Sequence, residues 1–208
     1  MARSTKSFDR SGSRYRAQPL VLVICEDSKS GKQYIEDICA AFRAHVKVKV
    51  IHCGKTDPRG IVEEAIAQRR KFNKVFCMID RDRHPSFDQA LALASGKENI
   101  EIIASYPCFE FWLLLHFGYC NRPYVEEGKN SPGECVVKDL RTKPEMSNYD
   151  KGKFENVFQL LGEERLKIAR EISPRVLADA IQNGSLNPST RMHDLVDYIE
   201  SQGTPVPI

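Results

Sequence analysis

Residues 74–84 read KVFCMIDRDRH. From Lys74 to Asp80 the run is apolar, short and rich in β-branched and aromatic side chains, which suits a strand buried on both faces of a parallel sheet. It closes on Asp80, Arg81 and Asp82 rather than on a turn glycine. A second run, PLVLVIC at 19–25, has the same character and closes on Glu26. Two buried strands that each end in carboxylates are the feature around which the rest of the chain is read.

Outward from these runs, strands and helices alternate. Tyr34, Ile35, Ile38, Ala41 and Phe42 recur at helical spacing after the first strand. HVKVKVIHC at 45–53 alternates like an edge strand with one wet face. A loop at 54–60 and a helix at 61–71 precede the central strand; a short helix at 87–94, a fourth strand at 99–104 and an apolar helical block at 109–117 follow it. Such alternation predicts an α/β fold, a Rossmann-like parallel sheet with right-handed crossovers and helices on both faces. Residues 19–118 are read as this domain, 1–18 as a disordered basic tail, and 119–208 as a helical C-terminal extension. Within the extension, helices are expected at 136–141, 154–161, 163–171, 174–182 and 188–202.

Composition narrows the class. With 208 residues, 41% hydrophobic and 28% charged, the chain can bury a real core. No apolar run is long enough to span a bilayer, and the tail lacks the apolar segment of a signal peptide, so a cytoplasmic location without membrane contact is expected. The seven cysteines are odd in number and include no C-x-x-C pair, which reads as reduced thiols. His116 and Cys120, four apart, lack the second pair that a zinc site needs. The net charge of +3 decides little. Its distribution says more, with Arg3, Lys6, Arg10, Arg14 and Arg16 in the tail and Arg69, Arg70, Lys71 and Lys74 at one helix end, although a solvated surface reads the same way.

In a parallel sheet the residues just past the strand ends share one rim, where ligands bind. If the two acid-tipped strands are neighbours, Glu26, Asp80 and Asp82 converge, and clustered hard oxygen ligands select Mg²⁺ or Mn²⁺. Each acid keeps a plain alternative: Asp27 or Ser28 would cap the first helix with Glu26 merely exposed. Glu110 is a fourth candidate ligand, or an acid favoured by the first turn of its helix. His84 is a candidate phosphate donor or proton carrier. Lys29 and Lys32 open the first helix, where a phosphate would be welcome. Lys151, Arg191 and His193 are candidates for completing a nucleic-acid groove, with solvated helix charge as the default. Trp112 reads as core rather than a stacking platform.

Glu26 after a hydrophobic strand, with VFCMIDRDRH later, resembles the pattern of Toprim domains, and SYPCFEFWLLLHF at 105–117 resembles the signature of the RloB-like family. That family is a Toprim-like group associated with bacterial restriction and anti-phage loci. The likeness covers most of the chain, because Tyr149-Asp150-Lys151 and Asn187-Pro188-Ser189-Thr190 with His193 resemble later motifs. The resemblance implies a Toprim fold and a metal-dependent nuclease, with the strand-one glutamate in acid–base work and the Asp-x-Asp pair holding Mg²⁺. It also implies an ATPase partner encoded nearby. Asp27 departs from the glycine that often follows the glutamate in such domains.

Three rivals are weighed. Ser30-Gly31-Lys32 suggests a P-loop, yet Glu26 stands where the first glycine belongs and Gln33 where Ser or Thr should ligate Mg²⁺, so that reading fails. A metal-dependent phosphatase would use Asp80 as nucleophile, though the haloacid dehalogenase pattern places that motif on the first strand. A non-catalytic, partner-binding subunit with a structural ion is the third. DNA, RNA and tRNA remain open as substrates, as does the oligomeric state, a homodimer included.

Overall fold

The computed structural model describes residues 20–45, 47–81 and 84–203. Asp82 and the tail arginines, expected above to act on a ligand, lie outside the described residues. The elements are β1 (Val21–Cys25), α1 (Ser30–Ala41), β2 (Val48–His52), α2 (Pro58–Gln68), β3 (Lys74–Asp80), α3 (Phe87–Ala94), β4 (Ile100–Tyr106), α4 (Glu110–Leu115), α5 (Pro132–Leu140), α6 (Val157–Gln182), β5 (Ser189–Thr190) and α7 (Met192–Gly203). The sheet order is β2-β1-β3-β4-β5. The first four strands are parallel and β5 runs antiparallel to β4. The α/β fold expected from the strand–helix alternation is present.

Strand alternation builds the core. Val21, Val23 and Cys25 of β1 face the layer made by α1 and α4–α7, while Leu22 and Ile24 face α2 and α3. Phe76 and Met78 of β3 join the first layer, and Val75, Cys77 and Ile79 the second. Burying both faces is what makes these runs continuously apolar; each such side chain contributes roughly 1.5–3 kcal/mol relative to exposure. β2 lies at the sheet edge, and only Val48 of its five residues is buried.

One buried cluster takes Val23 from β1, Trp112 from α4, Val136 from α5 and Ile199 from α7, so the C-terminal helices complete the first layer over the sheet. The local signals are clear at two of the helix starts. Asp57 accepts from the Gly60 N–H at 2.8 Å with Pro58 at the first position of α2. Ser131 and Glu134 form a reciprocal capping box on α5.

Two expectations for the extension are corrected. The helix expected at 188–202 begins only at Met192, because Ser189 and Thr190 pair with Tyr106 and Ser105 of β4. A two-residue strand carries no periodicity to read. The three helices expected across 154–182 form one element, broken at Gly162, whose backbone lies at φ 72°.

His116 is fully buried; its Nδ1 donates to the Trp112 carbonyl at 3.0 Å and its Nε2 accepts from the Tyr34 hydroxyl at 2.9 Å. With both nitrogens engaged it is a core residue, not half of a zinc pair. Burial pushes its pKa down to about 4. The folded value lies below the unfolded value of about 6.5, so the unfolded chain binds the extra proton as pH falls. Stability should therefore decline by about 3 kcal/mol between pH 6.5 and 4, a loss that His116→Gln removes. Urea unfolding of both proteins at pH 7 and 4.5 checks this; equal pH slopes would contradict it.

Candidate active site

β1 and β3 are neighbours in register, Cys25 beside Met78, so the residues that follow them share one end of the sheet. Glu26 reaches across: its Oε2 accepts the main-chain N–H of Asp80 at 2.8 Å, which ties the two strand ends together. Its Oε1 lies 3.4 Å from His84 Nε2. Burial raises the Glu26 pKa, against the lowering effects of the Asp80 N–H, His84 and Lys151. Asp80 is held well above the usual carboxylate range, first by burial and then by Glu26, with Lys151 opposing and Glu110 adding to the rise. This is an environment short of positive charge.

Of the two candidates for capping the first helix, Asp27 and Ser28, it is Asp27 whose side chain meets the N–H groups at the start of α1, from two residues before the N-cap position, Lys29. Its carboxylate accepts from the Lys29 N–H at 2.8 Å and the Gly31 N–H at 2.9 Å. Glycine at 31 permits this approach, since a Cβ there would stand 2.8 Å from Asp27 Oδ2 and 3.3 Å from Met78 Cε. Close packing, not phosphate cradling, accounts for Gly31.

Lys151 belongs with the acids. Its Nζ is 3.3 Å from Glu110 Oε2 and 3.9 Å from Asp80 Oδ2. Burial alone would lower its pKa, but Glu110 and Asp80 prevail and raise it, so the amine stays charged. The segment carrying it is fixed at three points. The Tyr149 hydroxyl donates to Glu110 Oε1 at 3.1 Å, Arg141 Nε donates to the Tyr149 carbonyl at 2.6 Å, and the Gly152 N–H donates to Ser30 Oγ at 3.0 Å. Glu110 is fully buried, its Oε1 accepting from the Tyr149 hydroxyl and its Oε2 facing the Lys151 ammonium.

A cavity of about 280 Å³ opens between these groups, lined among others by Glu26, Asp80, Lys151, Ser105, His52 and Thr56. His52 and Thr56 were missed in the sequence. The available signal was the position of His52 at the end of a strand parallel to β1, hence on the same rim. Two larger hollows each share one lining residue with the cavity. One, of about 680 Å³, shares Lys151 and adds Lys138 and Arg141; the other, of about 460 Å³, shares Ser28 and adds Lys29 and Lys153.

The donor chemistry fits a hard divalent ion in part. Glu26 and Asp80 offer carboxylate oxygens to one cavity, and Asp80 sits where a cation would be stabilised. Among the described residues, no three His, Cys, Asp or Glu side chains are gathered as metal ligands.

The other candidates are placed differently. Lys32 pairs with Glu36 at 2.6 Å. Arg191 pairs with Glu101 near the start of β4 and with Asp194, at 2.8 and 2.7 Å. His193 is buried, its Nδ1 2.8 Å from Ser173 Oγ, and burial lowers its pKa. Neither Arg191 nor His193 lines the cavity that holds Glu26 and Asp80. Their local sequence shows charge but not the packing of α7 against β4 and α6.

A family model described as RloB-like protein matches residues 21–199. No curated protein and no solved structure matches the chain. Among the described residues no helix is long and apolar enough to cross a membrane.

Proposed function

The chain belongs to the RloB-like protein family, and from that premise we propose that it is a divalent-metal-dependent phosphodiesterase of Toprim type that cuts nucleic acid. The observation that carries the reading is the meeting of Glu26 and Asp80 across β1 and β3, with the Lys151 ammonium beside Asp80. Glu26 and Asp80 would hold Mg²⁺ or Mn²⁺, joined by Asp82. A bound ion supplies charge neutralisation for a phosphate and a more acidic water.

The chain's own groups do the remaining work. Lys151, charged and among the residues that line the cavity, would meet a phosphate oxygen on which negative charge grows as the bond breaks. Glu110 and Tyr149 position it. Met78, Ile103 and Phe109 form the apolar wall that limits water around the reacting group. The two hollows that share residues with the cavity, with Lys138 and Arg141 in one and Lys29 and Lys153 in the other, suit an extended polyanion better than a small phosphate ester. The family resemblance supports a place in anti-phage defence beside an ATPase partner.

Incubation of the purified protein with labelled DNA and total RNA, in Mg²⁺, Mn²⁺ or chelator, tests this. Cleavage of one polymer with metal and none with chelator is expected, with affinity falling steeply as salt rises. Turnover of a simple phosphomonoester without cleavage of either polymer would favour the phosphatase instead.

A further inference from the structure

On the functional reading just given, the geometry points to His52 as the general base of the site. His52 ends β2 opposite Cys25, the residue immediately before Glu26. Its Nδ1 lies 3.1 Å from the Cys25 carbonyl oxygen. A carbonyl oxygen only accepts, so Nδ1 carries the hydrogen and, in the neutral ring, Nε2 carries the lone pair. A side chain that lines the carboxylate cavity is thus held with Nε2, which lies outside the Cys25 hydrogen bond, as its basic nitrogen.

The neighbouring groups are less free to do so. Glu26 has one oxygen bonded to the Asp80 N–H and the other facing His84, and a carboxylate engaged with a cation is a weaker base. Asp80 faces Lys151, whose amine stays protonated. His52 lines the same cavity from β2, which is the edge strand of the sheet among the described residues.

In the step assigned to it, Nε2 takes one proton from water as the water oxygen bonds to phosphorus. The bond from phosphorus to the leaving ester oxygen breaks, and that oxygen departs with the electron pair. The proton on Nε2 is then released to the leaving oxygen or to solvent, so one water is consumed and the ring returns to its starting state.

Two measurements on the full chain test the assignment. Nitrogen–proton correlation spectra of the imidazoles should show His52 protonated at Nδ1 in its neutral form; an Nε2–H form would overturn the proposal without reference to activity. His52→Asn can still donate to the Cys25 carbonyl but offers no comparable base. Its single-turnover cleavage rate should fall by about 10²-fold or more, with Mn²⁺ affinity and oligonucleotide affinity unchanged. Added imidazole should restore part of the rate to His52→Ala. A wild-type rate in His52→Asn overturns the base alone, and so does a fall in Mn²⁺ affinity that accounts for the lost rate. A wild-type protein that cuts no phosphodiester defeats the functional reading and the base together.

Discussion

Asp80→Asn should remove divalent-ion binding and lower cleavage by on the order of 10³-fold, while the ion-free thermal midpoint stays level or rises. The two effects part because the carboxylate is useful only with a cation beside it. Without one, burial and the charges of Glu26 and Glu110 hold the Asp80 pKa well above its ordinary value, against the pull of Lys151. A carboxyl raised on folding gives its full contribution below the unfolded pKa of about 3.9 and loses it as pH rises through the folded value. At neutral pH the ion-free protein bears that cost, and the amide removes it. Lys151 keeps Glu110 as a partner in the variant. Thermal scans with and without Mn²⁺, set beside single-turnover rates, make the comparison. A variant that melts several degrees lower and cuts normally would contradict it.

Lys151→Met should be both slow and unstable, and the two defects should be separable. Loss of the ammonium leaves the buried Glu110 without its cation, though the Tyr149 hydroxyl still donates to it. Removing one partner of a buried ion pair costs about 3–5 kcal/mol; the lower end applies because 52% of the Lys151 side chain is exposed. Cleavage should fall on the order of 10²- to 10³-fold if the amine stabilises charge on the phosphate. Adding Glu110→Gln takes away the unpaired carboxylate, so Lys151→Met/Glu110→Gln should recover most of the stability and little of the rate. Urea unfolding and single-turnover assays on the single and double variants measure both. Recovery of cleavage along with stability would show that Lys151 acts only on the fold.

The parts of this account that sequence carried are those written in contiguous side chains. β1 and β3 are legible because a strand buried on both faces has no polar residues to spare, and their shared polarity places Glu26 and Asp80 on one rim. Lys151 was visible as a cation but not as the partner of Glu110, a contact that spans 41 residues and depends on how Tyr149 and Gly152 anchor the segment. Glu110 stayed open between a metal ligand and an acid favoured by the helix dipole, because its place in the first turn of α4 says nothing about what faces its oxygens. His52 escaped because the Val–Lys alternation of β2 directs the eye to the faces of the strand, not its end. The burial of His193 was not legible, because a polar side chain on a helix resembles a surface group until the packing against it is known.

The most direct test of the central claim, that Glu26 and Asp80 together hold a divalent ion, is a crystal structure of the protein grown with Mn²⁺ and phased for its anomalous scattering. The account predicts a peak in the cavity at the ends of β1 and β3, within coordination distance of carboxylate oxygens of Glu26 and Asp80. A structure in which Mn²⁺ binds elsewhere, or leaves the Lys151–Asp80 contact intact with no metal in the cavity, would contradict it.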